Sequence, residues 1–227
     1  MFAIRSARTA LLVATLLVAP AAFSADRASL ERLLPAQGLP KVELPGFGVA
    51  YGRPGALAGF DSVLLEPVDV SFQAGWRPTR PGSALLVSSA DRDKLRGNVV
   101  RWVHDAFAQT LQRRGIRLAD APGPGVLRVK LRVVDVNLSN PWADDATQPG
   151  ARVVSISSGE MTLLGEFADA RTGDVLARVA DWEDMRPTER VFLPDSEVRT
   201  GAAVEAVASR WAASVAGALG RGGSRNP

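Results

Sequence analysis

From Leu127 the chain alternates with a period of two. Leu127, Val129, Leu131 and Val133 are apolar, and Arg128, Lys130 and Arg132 between them are basic. Successive side chains of a strand point to opposite faces, so this pattern predicts a half-buried strand with one basic face. The phase slips at Val134, and Val134, Val136 and Leu138 take the other parity; the slip predicts a β-bulge or a change in which face is covered. Residues 153–169 read as another strand, with Met161, Leu163 and Phe167 on one side and Glu160, Thr162 and Glu166 on the other. A turn at Ala170-Arg171-Thr172-Gly173-Asp174 then leads to a strand from Val175 to about Trp182, and two strands joined so tightly form an antiparallel hairpin. An earlier strand is expected over Phe60 to Phe72, a stretch rich in β-branched and aromatic residues, with Pro67 placing it at an edge or a bulge.

Two segments change to a helical period. Ser88-Ser89-Ala90-Asp91 resembles a capping box with Asp in place of Glu or Gln, and a helix is expected from there to about Arg114, stopped by Gly115. Leu95, Val99, Trp102, Val103, Ala106, Phe107, Thr110 and Leu111 recur at three and four along it, tracing one buried face. A final helix starts at Asp195 or Ser196 and ends at Gly220, with Val204, Val207, Ala208, Trp211, Val215 and Leu219 on its apolar side. Gly123, Gly125 and Gly173 lie where tight turns call for positive φ, a backbone explanation that needs no ligand. The element order β-α-β-β-β-α predicts an α+β two-layer sandwich: a mainly antiparallel sheet of about four strands with two amphipathic helices on one face.

The N-terminal residues follow a different pattern. Arg5 and Arg8 precede an apolar run from Ala10 to Ala19, then Pro20 and the small residues around Ala22 and Ser24. This reads as a secretory signal peptide over residues 1–24, with cleavage between Ser24 and Ala25; the run is short of the roughly 20 residues a spanning helix needs. Residues 25–59 carry Pro35, Pro40, Pro45 and Pro54 among many glycines and are expected to form an extended arm or linker. Residues 60–219 are read as a single domain, and 220–227 as a disordered tail. The chain contains no cysteine, so no thiol is present to carry a lipid or a disulfide. The expected location is the periplasm, with secretion as the alternative. Removing residues 1–24 takes away two arginines and no acid, which lowers the formal charge from +3 to +1. A nearly balanced mature chain gives no support for a nucleic-acid partner.

Three phrases, Leu64-Leu65-Glu66-Pro67-Val68-Asp69-Val70, Pro122-Gly123-Pro124-Gly125-Val126-Leu127-Arg128-Val129 and Asp169-Ala170-Arg171-Thr172-Gly173-Asp174-Val175-Leu176-Ala177, together with Trp211-Ala212, resemble in order and spacing the bacterial family called domain of unknown function 3313. The resemblance runs from about Pro45 to Leu219. Members are mostly regarded as lipoproteins, and this chain departs from that in having no cysteine to lipidate. The resemblance implies an envelope location and supplies no activity, ligand, cofactor or catalytic residue.

Candidate chemistry is sparse. His104 is the only histidine and falls beside the apolar face of its helix, the place of a structural or solvated side chain. With one histidine and no cysteine, a zinc site would be nearly all carboxylate, which is uncommon, and no cofactor is expected. No Gly-x-Ser-x-Gly elbow or phosphate-binding Gly-x-x-x-x-Gly-Lys occurs. Carboxylates remain: Asp144 and Asp145 after Asn140-Pro141-Trp142, and Asp181, Glu183 and Asp184 around Trp182. Paired acids can hydrolyse glycosides when about 5 to 9.5 Å apart, although adjacent acids in polar loops are ordinarily solvated surface. Arg128, Lys130 and Arg132 could hold an anionic lipid or glycan, but pairing with Glu160 and Glu166 across the sheet is the simpler reading. Trp76, Trp142 and Trp182 lie in loops or at a strand end and are the candidate partner surface, since aromatic residues dominate interface hot spots. Two functions follow: an exported non-catalytic accessory or binding protein whose partner is an envelope protein, lipid or glycan, and, as the alternative, a carboxylate-dependent hydrolase of cell-wall or polysaccharide material.

Overall fold

The computed structural model describes residues 27–78, 86–139, 141–142, 154–155, 157–186, 193–194 and 196–220. The expected signal peptide lies outside them, as do Asp144, Asp145, Asp195 and the tail beyond Gly220.

The alternating run forms a long strand, β6 (Val126–Leu138), paired antiparallel with β8 (Gly159–Asp169), which pairs antiparallel with β9 (Val175–Asp184). The hairpin turn between β8 and β9 is built as its residues dictate. Asp169 Oδ1 accepts from the amides of Arg171 and Thr172, and Gly173 takes φ 81°, which glycine adopts cheaply. The phase slip in β6 is a bulge: Val134 opposes Thr162 but Asn137 opposes Glu160, so β6 carries one extra residue, and Asp135 stands at φ 52°. The bulge returns Val136 and Leu138 to the same buried face as Leu131 and Val133.

The fold is α+β, but the sheet is larger and more mixed than four mainly antiparallel strands. It has eight strands, with β1 (Lys41–Val42), β2 (Val49–Gly52), β3 (Ser62–Leu65), β4 (Asp69–Phe72) and β5 (Arg117–Leu118) joining the three above in the order β1-β2-β9-β8-β6-β3-β5, and β4 also on β6. Two of the added strands come from the Pro/Gly-rich segment read as an arm, where β2 pairs antiparallel with β9 and β1 with β2. Pro67 divides the expected strand of 60–72 into β3 and β4. Both run parallel to β6, and the five residues from Leu65 to Asp69 match four from Val129 to Arg132. The parallel sense follows from the connection, because the chain crosses from β4 to β6 through a helix, α2 (Ser89–Arg113), rather than a hairpin. A separate two-stranded ladder joins β7 (Val154–Ser155) and β10 (Leu193–Pro194).

Both expected helices are present. Ser88 caps α2, its hydroxyl accepting from the Asp91 amide at 3.1 Å and donating to the Asp91 carboxylate at 2.8 Å. Gly115 at φ 80° follows its end, where the Ile116 amide reaches back to the Leu111 carbonyl. Ser196 caps the last helix, α3 (Glu197–Gly220), through the Arg199 amide. These two helices cover one sheet face over a core that includes the fully buried Phe107, Leu131, Phe167 and Trp211, each contributing about 1.5–3 kcal/mol for an ordinary large side chain removed from water. They approach closely at Gly201, where a Cβ would sit 2.9 Å from the Trp102 ring. A third helix, α1 (Arg27–Leu33), was not expected; its Leu30, with Leu34, packs on Val49, Leu164 and Ala180 on the opposite sheet face.

Candidate functional site

The acids around Trp182 are separated by the pleat of β9. Asp181 and Glu183 point to the side of α3, and Asp184 to the other. Asp181 is half-buried: its Oδ2 accepts from the Trp211 indole Nε1 at 2.7 Å and its Oδ1 from the Gly48 amide at 3.0 Å. Burial raises its pKa, assisted by the negative charge of Glu183, against the lowering effect of the Trp211 bond. Glu183 is held by Arg210 of α3 at 2.8 Å. Asp184 accepts from the Ser157 hydroxyl at 2.7 Å and pairs with Arg186 at 2.6 Å. Each carboxylate therefore serves a bond within the fold. His104 sits on the surface of α2, 3.3 Å from its neighbour Asp105.

The three candidate tryptophans divide between the two faces. Trp76 stacks on Phe72 at 4.5 Å and on Trp142 at 6.1 Å, and its indole donates to the Leu138 carbonyl at 3.3 Å. This half-buried stack extends the helix-side core beyond the end of β6. Trp182 lies opposite Thr162 on the other face, beside the small cluster under α1. Glu160, nearby, has its pKa raised by burial first and by the charge of Asp184, while hydrogen bonds from Asn137 and Trp182 pull the other way.

Two of the three cations in the basic row of β6, Arg128 and Arg132, find acidic partners, and neither partner is Glu160 or Glu166. Arg128 pairs with Glu66 at 3.6 Å and Arg132 with Asp69 at 3.4 Å, both across the parallel edge. Glu166 stands opposite Lys130 in register, but its ion pair is with Arg178 of β9. Among the three turn glycines, Gly125 and Gly173 have φ of 70° and 81°, while Gly123 does not have a positive φ and carries no such requirement.

A further feature was not legible in the sequence. A cavity of about 460 Å³ lies between β1, β2, the turn that follows β2, the start of β9 and the end of α3. Its walls are mainly apolar, with Val42, Leu44, Ala50, Leu57, Ala177 and Ala218 among them, and Lys41, Glu43 and Arg53 add charge. The size falls within the range of small-molecule sites. No periodicity marks the segment that builds it. Among the described residues no group of three or more His, Asp or Glu is arranged to hold a metal ion, and no helix is long and apolar enough to cross a membrane.

Fold and site together define an α+β protein with a helix-covered mixed sheet, structurally engaged acids and an apolar concavity. The chain belongs to the family described as "Protein of unknown function (DUF3313)", whose model matches residues 36–215. No curated protein sequence matches it. Among solved structures, it is similar to the PelC dodecamer from Paraburkholderia phytofirmans, with 12% identity, 71% of this chain and 93% of that chain covered, and a TM-score of 0.34. Protein XCC0632 from Xanthomonas campestris, of family model DUF330, shows 9% identity over 66% of this chain and 78% of its own, with a TM-score of 0.32. A neuraminyllactose-binding hemagglutinin homolog from Helicobacter pylori shows 10% identity over 70% and 86%, with a TM-score of 0.33.

Proposed function

We propose that this chain is an exported envelope accessory or binding protein that performs no chemistry of its own. The observation that carries the reading is the engagement of Asp181, Glu183 and Asp184: each is spent on a bond that holds the fold, two of them on the same helix. A glycosidase acid and its partner need to face one another across a substrate cleft, and carboxylates tied to Trp211, Arg210 and Ser157 serve a different end. Export rests on the N-terminal pattern of Arg5, Arg8 and the apolar run before Ser24, with the periplasm as the destination and Ala25 as the first mature residue. The first candidate for a protein-binding surface is the Trp76–Trp142 stack, which offers rigid aromatic area at one end of the sheet. Trp182, on the other face, is the second.

Capture from envelope extract tests this, using residues 25–227 as bait with W76A/W142A and W182A as separate variants. A specific partner that is lost with one variant and kept with the other supports the reading and locates the surface. Capture of nothing beyond background, together with release of sugars or peptides from purified cell wall, overturns it.

A further inference from the structure

We infer that the cavity between β2 and the end of α3 binds a single-chain anionic amphiphile, an acyl chain with a carboxylate or phosphate head. This rests on the binding-protein reading and supplies its ligand class. The walls decide the tail. Ala50, Ala56, Ala58, Ala177 and Ala218 stop at Cβ, and Gly52 has no side chain, so the space between the sheet and α3 is left unfilled. No aromatic ring lines it, and the charged side chains that do are limited to Lys41, Glu43 and Arg53, all exposed. Such a wall gains by burying methylenes, about 0.8 kcal/mol each, and offers no ring on which a sugar or an aromatic ligand could stack. At roughly 30 Å³ for a water-sized group, the volume of about 460 Å³ holds on the order of 15 methylenes, enough for one chain.

The charged residues decide the head. Two cations and one acid leave a net positive rim. Lys41 is already held by Glu31 of α1, whereas among the described residues Arg53 forms no ion pair, so its guanidinium is available to a carboxylate or phosphate. The site is also preformed. Leu44 and Phe47 pack on the main core, and Asp181 holds the Gly48 amide. Gly46 lies against α3 so closely that a Cβ would stand 1.9 Å from the Ser214 hydroxyl oxygen. The segment that roofs the cavity is thus fixed to α3 at one end and hydrogen-bonded to β9 through β2 at the other.

The test is fluorescence titration of the full chain, purified after export, with cis-parinaric acid, followed by displacement with oleate, lysophosphatidylglycerol and the neutral oleyl alcohol. Saturable binding at one probe per chain is expected, displaced by both anions; which anion competes at the lower concentration separates a free fatty acid from a lysophospholipid. Ala58→Phe places a ring in the cavity and should weaken the probe at least about tenfold, with Ala56→Phe as the second filling variant and a thermal melt confirming that each is folded. Arg53→Glu should weaken oleate several-fold and leave oleyl alcohol unchanged. Unsaturable binding, or folded A58F and A56F chains that bind as the parent does, overturns the site; equal effects of R53E on oleate and oleyl alcohol overturn the head-group assignment. If the amphiphile fails to bind while an envelope partner is still captured, only this inference falls, and if both fail the binding-protein reading falls with it.

Discussion

Replacing Asp181 by alanine separates a structural acid from one held ready for chemistry. The substitution removes the acceptor from two donors of unequal exposure. Trp211 is 1% exposed, so its indole N–H is left without a partner, and an unsatisfied buried donor costs about 1–3 kcal/mol. The Gly48 amide lies in an exposed residue where water can replace the carboxylate, which adds less than about 1 kcal/mol. A loss of about 3 kcal/mol is therefore expected, which at about 2–4 °C per kcal/mol for a chain of this size lowers the melting temperature by roughly 6–12 °C. Calorimetry and urea unfolding of D181A, W211F and the double variant measure it. Because the double variant no longer contains the orphaned donor, its loss should fall short of the sum of the singles by about 1–2 kcal/mol. A D181A chain within about 0.5 kcal/mol of the parent, the range of an ordinary surface change, would refute the reasoning and free Asp181 for another role.

Acidification should act through the same group. Burial raises the Asp181 pKa above its ordinary 3.8, so the folded state binds that proton more tightly than the unfolded chain does. The stability this titration contributes is fully present below the unfolded value and is lost as pH rises through the folded one. In urea unfolding from pH 7 down to pH 4, the parent should therefore gain stability relative to D181N, and a constant difference across that range would count against the assignment. Ser88→Ala removes the cap of α2 and should cost about 1 kcal/mol in the same assay; no change would mean that the Asp91 amide is satisfied otherwise. Gly159→Ala should be severely destabilising, on the order of 3 kcal/mol or more, since Gly159 stands at φ 127° with a Cβ position 2.1 Å from the Asn137 carbonyl oxygen. Normal expression and melting of G159A would show that β6 and β8 tolerate separation there.

The parts of the fold that were legible are those where a period or a cap is written into consecutive residues. The bulge at Val134–Asn137 is visible because a strand fixes parity, so one extra residue moves every later apolar position to the other parity. Ser88 and Gly115 frame α2 by the same kind of local chemistry. The strands that escaped notice are short and held from outside. Lys41–Val42 and Val49–Gly52 lie among prolines and glycines; the extended state of the second is stabilised by the ladder from β9, a partner more than a hundred residues away, and that of the first by pairing with the second. Arg117–Leu118 is likewise two residues long and exists by pairing with β3. The direction of β3 and β4 was a matter of connection: a β-α-β crossing makes them parallel to β6, and residue preferences do not carry that sense. For the site, the clustering of acids around Trp182 was visible, but their assignment to opposite faces and to Trp211, Arg210 and Ser157 depends on where α3 and the loop before β8 come to rest. The cavity depends on five alanines drawn from four parts of the chain.

The reading as a binding protein is tested most directly by one comparison: capture of envelope partners by E183Q/D184N beside capture by W76A/W142A, with the parent as reference. The account predicts that the carboxylate variant retains the partner and the tryptophan variant loses it. Loss of the partner with E183Q/D184N, in a chain that melts as the parent does, while W76A/W142A retains it, would contradict the account and return those two acids to the centre of the function.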